Sequence, residues 1–201
     1  RQDPDMTLTI DLESPLGPDL DLLFLRPGKA TPRAEKVIEF VLYVLWDLGA
    51  RVGPAARSLD ECLALAKSDM TVRTTLLEAR FLAGDEPLAD LMIRRFRDMV
   101  AKADPRPFIA AKLEERDLRH EKAGAIRYKV EPNVKDGKGG LRDLQTLYWI
   151  AKYIHRVDRA AELVELGFFT RDEHLTFWQA EDFLWAVRCH LHLLSGRPTD
   201  Q

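Results

Sequence analysis

Asp19 and Asp21 open the apolar run Leu20-Asp21-Leu22-Leu23-Phe24-Leu25, with a single residue between the two carboxylates. Side chains alternate across a β-strand, so in an extended chain both aspartates face the same way and can share one divalent cation. Two like charges so placed repel unless something positive lies between them. A Mg²⁺ ion that also holds substrate phosphates, and keeps several of its waters, suits that place. The same spacing also describes two strand-end carboxylates exposed to water, and a lone D-x-D pair is a weak signal.

A second constellation is Glu131-Pro132-Asn133-Val134-Lys135-Asp136-Gly137-Lys138-Gly139-Gly140-Leu141-Arg142-Asp143. Leu141, Leu144, Tyr148, Ala151, Ile154 and Val157 recur at helical spacing, so the glycine-rich turn delivers its charges to the start of an amphipathic helix. Free backbone N–H groups at such a start carry partial positive charge, and Lys135, Lys138 and Arg142 add full charges, a combination that suits phosphate. Lys135, Gly139, Gly140 and Arg142 are the candidate contacts, with Asp143 orienting Arg142 or capping the helix. A tight turn with a solvated charged face would carry the same residues. So would a tie between two domains made by Glu131, Arg142 and Asp143.

The elements that must position these residues follow from periodicity and punctuation. Met6 to Leu12 alternates as a half-buried strand, Ser14 to Pro18 is a turn by composition, and Asp19 to Leu25 is a second strand ended by Arg26-Pro27-Gly28. Ala34 to Leu48 is a helix closed by Gly49, and Ala50 to Arg57 is a short strand or a turn. Ser58-Leu59-Asp60-Glu61 has the form of a capping box, as do Thr170 and Glu173. Met70 to Ala83 carries both helix and strand signals and is read as a helix ending at Gly84. Beyond it only helices are expected, at Leu88 to Ala103, Phe108 to Ala123, 141–157, 159–166 and 171–194. The fold class is therefore α+β, with a small-sheet domain at 1–86 and an all-α domain at 87–201.

Composition narrows the function classes. The 201 residues are 46% hydrophobic and 31% charged, as in ordinary globular proteins, and the net charge of −3 provides no bulk attraction to nucleic acid or anionic membrane. The sequence has no apolar run of the roughly 20 residues that span a bilayer and no charged-then-apolar leader, so a cytoplasmic location is expected. Cys62 and Cys189 are read as reduced packing residues. His190 and His192, two apart on a helix, point away from each other and make a poor metal site with Cys189. Trp178 and Trp185 are expected in the core, and Lys112 to Lys122 on a solvated helix face.

Asp-Leu-Asp-Leu-Leu-Phe-Leu at 19–25, Arg-Ser-Leu-Asp-Glu-Cys at 57–62, Leu-Leu-Glu-Ala-Arg-Phe-Leu-Ala-Gly-Asp at 76–85 and the 131–150 stretch together resemble the bacterial uridylyltransferase/uridylyl-removing enzymes that act on PII. Phe183-Leu184-Trp185-Ala186-Val187-Arg188, Leu191-His192 and Gly196-Arg197 resemble the same family's later helix. The resemblance covers nearly the whole chain. It implies a polymerase-β-like nucleotidyltransferase domain followed by a helical domain. It also implies Mg²⁺-dependent transfer of UMP from UTP to a tyrosine of the PII nitrogen-regulatory protein. Asp19 and Asp21 would be the catalytic metal ligands. The family continues with a phosphohydrolase domain and regulatory domains that this sequence does not contain.

Two departures are visible. Only Ser14-Pro15-Leu16-Gly17-Pro18 stands where a phosphate-cradling glycine turn precedes the D-x-D strand in this fold. Val52-Gly53-Pro54-Ala55-Ala56-Arg57 contains no third carboxylate, for which Asp47, Asp69 and Glu78 are possible substitutes. They keep two alternatives open: adenylyl transfer of the glutamine-synthetase type, which shares the glycine-glycine-x-arginine-aspartate stretch, and a catalytically silent binding module.

Overall fold

A computed structural model describes residues 7–12, 19–122, 132–157, 160–197 and 199–201. The expectations for Ser14 to Pro18 and for Glu131 fall outside the described residues. The chain divides into two compact units, Arg1–Lys102 and Ala103–Gln201. Among the described residues, no helix is long and apolar enough to cross a membrane.

The first unit is built on a mixed four-stranded sheet of order β3-β2-β1-β4 among the described residues. Strand β1 (Thr7–Leu12) runs antiparallel to β2 (Asp19–Arg26), and β2 runs parallel to β3 (Arg51–Ser58). Parallel neighbours need a crossover, and helix α1 (Pro32–Asp47) provides it. Thr31 caps α1 by accepting from the Ala34 N–H at 3.2 Å, and Pro32 occupies the first turn, where its missing N–H costs nothing. On one face of β2, Leu22 and Phe24 pack with Leu42, Ile38, Val41 and Leu45 of α1, while Leu25 is buried on the other. Burying each such side chain contributes about 1.5–3 kcal/mol.

Strand β3 contains Gly53-Pro54 and is nevertheless a strand. It lies at the sheet edge, where a residue without an N–H leaves no ladder bond unmade. The Ser58/Glu61 capping box forms, with Ser58 N–H donating to Glu61 Oε2 at 2.6 Å and Glu61 N–H to Ser58 Oγ at 3.3 Å, and starts α2 (Leu59–Ser68). Cys62 on α2 is fully buried, and burial pushes its thiol up to about 11, as suits a packing residue.

The helix expected over Met70 to Ala83 is two elements, α3 (Met70–Glu78) and β4 (Arg80–Gly84), parted at extended Ala79. β4 pairs with β1, so the open sheet edge decided what local propensity left ambiguous. Helix α4 (Glu86–Lys102) buries Ala89, Met92, Phe96 and Val100 at helical spacing and packs against β1, β2 and β4. The first unit thus extends through α4, later than the boundary expected at residue 86 from strand content.

Among its described residues the second unit has helices only: α5 (Arg106–Lys122), α6 (Leu141–His155), α7 (Ala160–Glu165) and α8 (Arg171–Ser195). Buried Phe108 of α5 stacks on Tyr153 of α6 at 4.1 Å between ring centroids. Ala151, Val157 and Leu163 form a further core with Tyr148, Phe168 and Phe169. The Thr170/Glu173 capping box opens α8. Two expectations are corrected here. Lys112 is buried beneath Phe108 and Trp149 and pairs with Glu115 at 2.7 Å, because an alkyl stem packs well between rings. Trp178 is exposed, on the first part of α8, whose buried residues, Arg188 and His192, come only toward its end.

Candidate functional site

Register sets the positions of three aspartates of the first unit. Asp21 pairs with Asp11 across the β1–β2 ladder and with Gly53 across the β2–β3 ladder, and Asp19 pairs with Arg51. Ladder partners share a sheet face, so positions 11, 19, 21 and 53 lie together. The Asp21 carboxylate occupies the space beside Gly53, where an added Cβ would collide with its Oδ1. That is why a glycine stands in the middle of this strand. Beside Asp21 is a cleft of about 200 Å³, walled by Gly53, Ala55 and Arg57 of β3 and by Thr71, Thr75 and Ala79. Carboxylate, guanidinium and hydroxyl groups there can meet a polar ligand of modest size. Among the described residues no three His, Cys, Asp or Glu side chains gather as a metal site, at Cys189, His190 and His192 or elsewhere.

The glycine-rich stretch of the second unit is a closed turn. Asn133 Oδ1 accepts from the N–H groups of Lys135 at 2.9 Å and Asp136 at 2.6 Å, and its carbonyl from Gly137. Gly137 and Gly140 are required sterically. A Cβ on Gly137 would strike the Asn133 carbonyl, and one on Gly140 would lie 2.8–2.9 Å from the carbonyl oxygens of Lys135, Val134 and Gly137. Gly139 has φ of +75°, a conformation that L side chains rarely adopt.

Asp143 is the hub of this turn. Its carboxylate accepts from Gly139 N–H at 2.8 Å and Arg119 Nη2 at 2.7 Å, and lies 2.9 Å from His120 Nε2. Burial alone would raise its pKa; the Gly139 N–H, Arg119 and His120 outweigh that and hold it below the usual carboxylate value. Asp200 braces the far side, accepting from Val134 N–H at 2.9 Å through its carbonyl and from Arg188 Nε at 2.5 Å through Oδ1.

These bonds revise how the turn can meet an anion. The N–H groups of Leu141 and Arg142 donate to the carbonyls of Val134 and Lys135, and that of Asp143 to Gly140, so the start of α6 is already satisfied. Gly139 and Gly140 serve the turn itself. The cationic side chains of the turn are Lys135, exposed Lys138, and Arg142, whose guanidinium lies 5.6 Å from the Trp149 ring centre. Sequence reasoning missed Arg119, His120, Arg188 and Asp200 as supports. The basic end of α5 was the one signal for Arg119 and His120, and it named no partner.

Comparison with known proteins decides the kinship. The family model described as GlnD PII-uridylyltransferase matches residues 107–201, which takes in α5, the glycine turn and all that follows. Residues 107–201 belong to the PII-uridylyltransferase family. Over 183 residues, 91% of this chain, the sequence is 58% identical to the bifunctional uridylyltransferase/uridylyl-removing enzyme of Phenylobacterium zucineum (strain HLK1). It is 60% identical over the same length to the enzyme of that name in Ruegeria pomeroyi, and 58% to that of Caulobacter vibrioides (strain NA1000 / CB15N). The match covers 20% of each relative, so the chain spans about a fifth of their length. Within this family segment, the Asp143 hub and the Asp200 brace hold the turn that carried the resemblance.

Proposed function

We propose that this chain is the nucleotidyl-transferring part of a PII-uridylyltransferase, with a polymerase-β-like fold in its first unit, acting on UTP and a tyrosine of PII in the cytoplasm. The observation that carries the reading is the sheet face on which positions 11, 19 and 21 meet beside the hollow at Gly53. Carboxylates are hard donors that suit a divalent cation, and Asp19 and Asp21 would hold Mg²⁺ there. When bound, Mg²⁺ neutralises charge on the phosphates. In the transfer, the tyrosine oxygen bonds to the α-phosphorus as the bond to pyrophosphate breaks. Asp11, the register partner of Asp21, would take the phenolic proton. The cleft of about 200 Å³ suits a base or a ribose rather than a whole nucleotide. Lys135 and Arg142 are the side chains proposed for phosphate or for an acidic patch of the protein partner.

Calorimetry of the chain with UTP, with and without Mg²⁺, tests this reading. Mg²⁺-dependent binding that Asp21→Asn abolishes, while the melting temperature stays put, is the expected outcome. Equal binding by parent and variant would sink the metal assignment. Binding of ATP in preference to UTP would move the reading to adenylyl transfer, and no nucleotide binding at all to a silent module.

A further inference from the structure

We propose that Arg57 selects the base of the nucleotide, donating to the O4 carbonyl of uracil in the cleft beside Asp21 and disfavouring bases that carry an amino group there. The role rests on the nucleotidyl-transfer reading and adds to it the side chain that separates UTP from other triphosphates. Gly53, Ala55 and Arg57 alternate along β3 and, as register partners of Asp21, Leu23 and Leu25, share one sheet face. All three line the cleft of about 200 Å³, with Asp21 and Leu23 beside them. Arg57 lies four residues beyond Gly53, about 13 Å along an extended strand. The cleft therefore runs from the Asp21 carboxylate, beside Gly53, towards Arg57.

Between these ends the lining is apolar, through Leu23 and Ala55 of the sheet and Val72 and Leu76 of α3. Such walls take the faces of a flat ring rather than a phosphate. Arg57 is half-buried, and among the described residues no ion pair or hydrogen bond occupies its guanidinium. A guanidinium only donates, so the ligand atom it meets must accept. On α3, Thr75 Oγ1 donates to the Thr71 carbonyl at 3.1 Å, which commits its proton and leaves the oxygen to accept. One donor and one acceptor match the O4 and N3–H of uracil. Cytosine and adenine carry an amino group in place of that carbonyl. An amino group set against Arg57 leaves two donors facing each other, and the unmade bond costs affinity. With the phosphates on Mg²⁺ at Asp19 and Asp21, the base is the part of the nucleotide that enters the cleft.

UTP and CTP share ribose, phosphates and ring size, so the ratio of their affinities isolates the contact at the pyrimidine edge. Calorimetry of the chain with Mg²⁺·UTP and with Mg²⁺·CTP is expected to show UTP bound at least about tenfold more tightly. Arg57→Met keeps the alkyl stem and should abolish that preference, with CTP binding little changed. Arg57→Glu, whose carboxylate accepts from an amino group, should reverse it in favour of CTP. Equal binding of the two nucleotides by the parent, or a ratio that both variants leave in place, would overturn the proposal. A loss of equal size for UTP and CTP would overturn it as well and make Arg57 a phosphate contact. Absence of Mg²⁺-dependent UTP binding by the parent would instead remove the nucleotidyl-transfer reading, and the role of Arg57 with it.

Discussion

Replacing Asp143 by asparagine removes one charge from a carboxylate shared by Gly139 N–H, Arg119 and His120, while keeping the shape of the side chain. The amide oxygen can still accept from Gly139, so the loss falls on Arg119 and His120. A hydrogen bond to a charged group contributes about 1.5–3 kcal/mol. The side chains of Arg119 and Asp143 retain 16% and 19% exposure, so solvent screens part of that. The expected cost is about 2–3 kcal/mol, which for a unit of this size lowers the melting temperature by roughly 8–20 °C. The pH dependence has a definite sign. Because the folded-state pKa of Asp143 lies below the usual value, its stabilisation is present above about pH 4 and is lost as pH falls through the folded pKa. The gap between parent and variant should therefore be widest near neutrality and close in acid. Melting curves followed by ellipticity from neutral pH downward, with amide exchange at Gly139, measure this. A drop under about 2 °C at neutral pH, or a gap of constant width down to the acid end, would refute the hub assignment.

Three further outcomes follow from the same geometry. Gly140→Ala should destabilise the second unit by about 1–3 kcal/mol, seen as an earlier urea midpoint, because its Cβ would press on three carbonyl oxygens. Arg142→Ala should weaken Mg²⁺·UTP binding by about 1.5–3 kcal/mol in calorimetry with little change in melting if it touches phosphate; a lower melting temperature with unchanged affinity would make it a structural tie instead. Asp200→Ala removes the carboxylate that accepts from buried Arg188 Nε and should cost about 1.5–3 kcal/mol in chemical denaturation, together with faster amide exchange at Val134.

What the sequence determined by itself was local in origin. Both capping boxes, the helix started by Thr31 and Pro32, and the strand carrying Asp19 and Asp21 are legible because each depends on residues within a turn or two of itself. The glycine turn was legible as a turn for the same reason. What the tertiary structure decided was pairing across distance. Arg80 to Gly84 became a strand because β1 offered an open edge, and Gly53-Pro54 could stay in a strand because β3 has an open edge of its own. Asp11 joined Asp21 through register, which no spacing along the chain encodes. The amides at the start of α6 are satisfied by carbonyls of Val134 and Lys135 rather than left for an anion, and Asp143 found Arg119 and His120 across 24 and 23 positions of chain. Hydrogen-bond partners that far apart meet only once the helices have packed, and so the electrostatics of the turn belong to the fold.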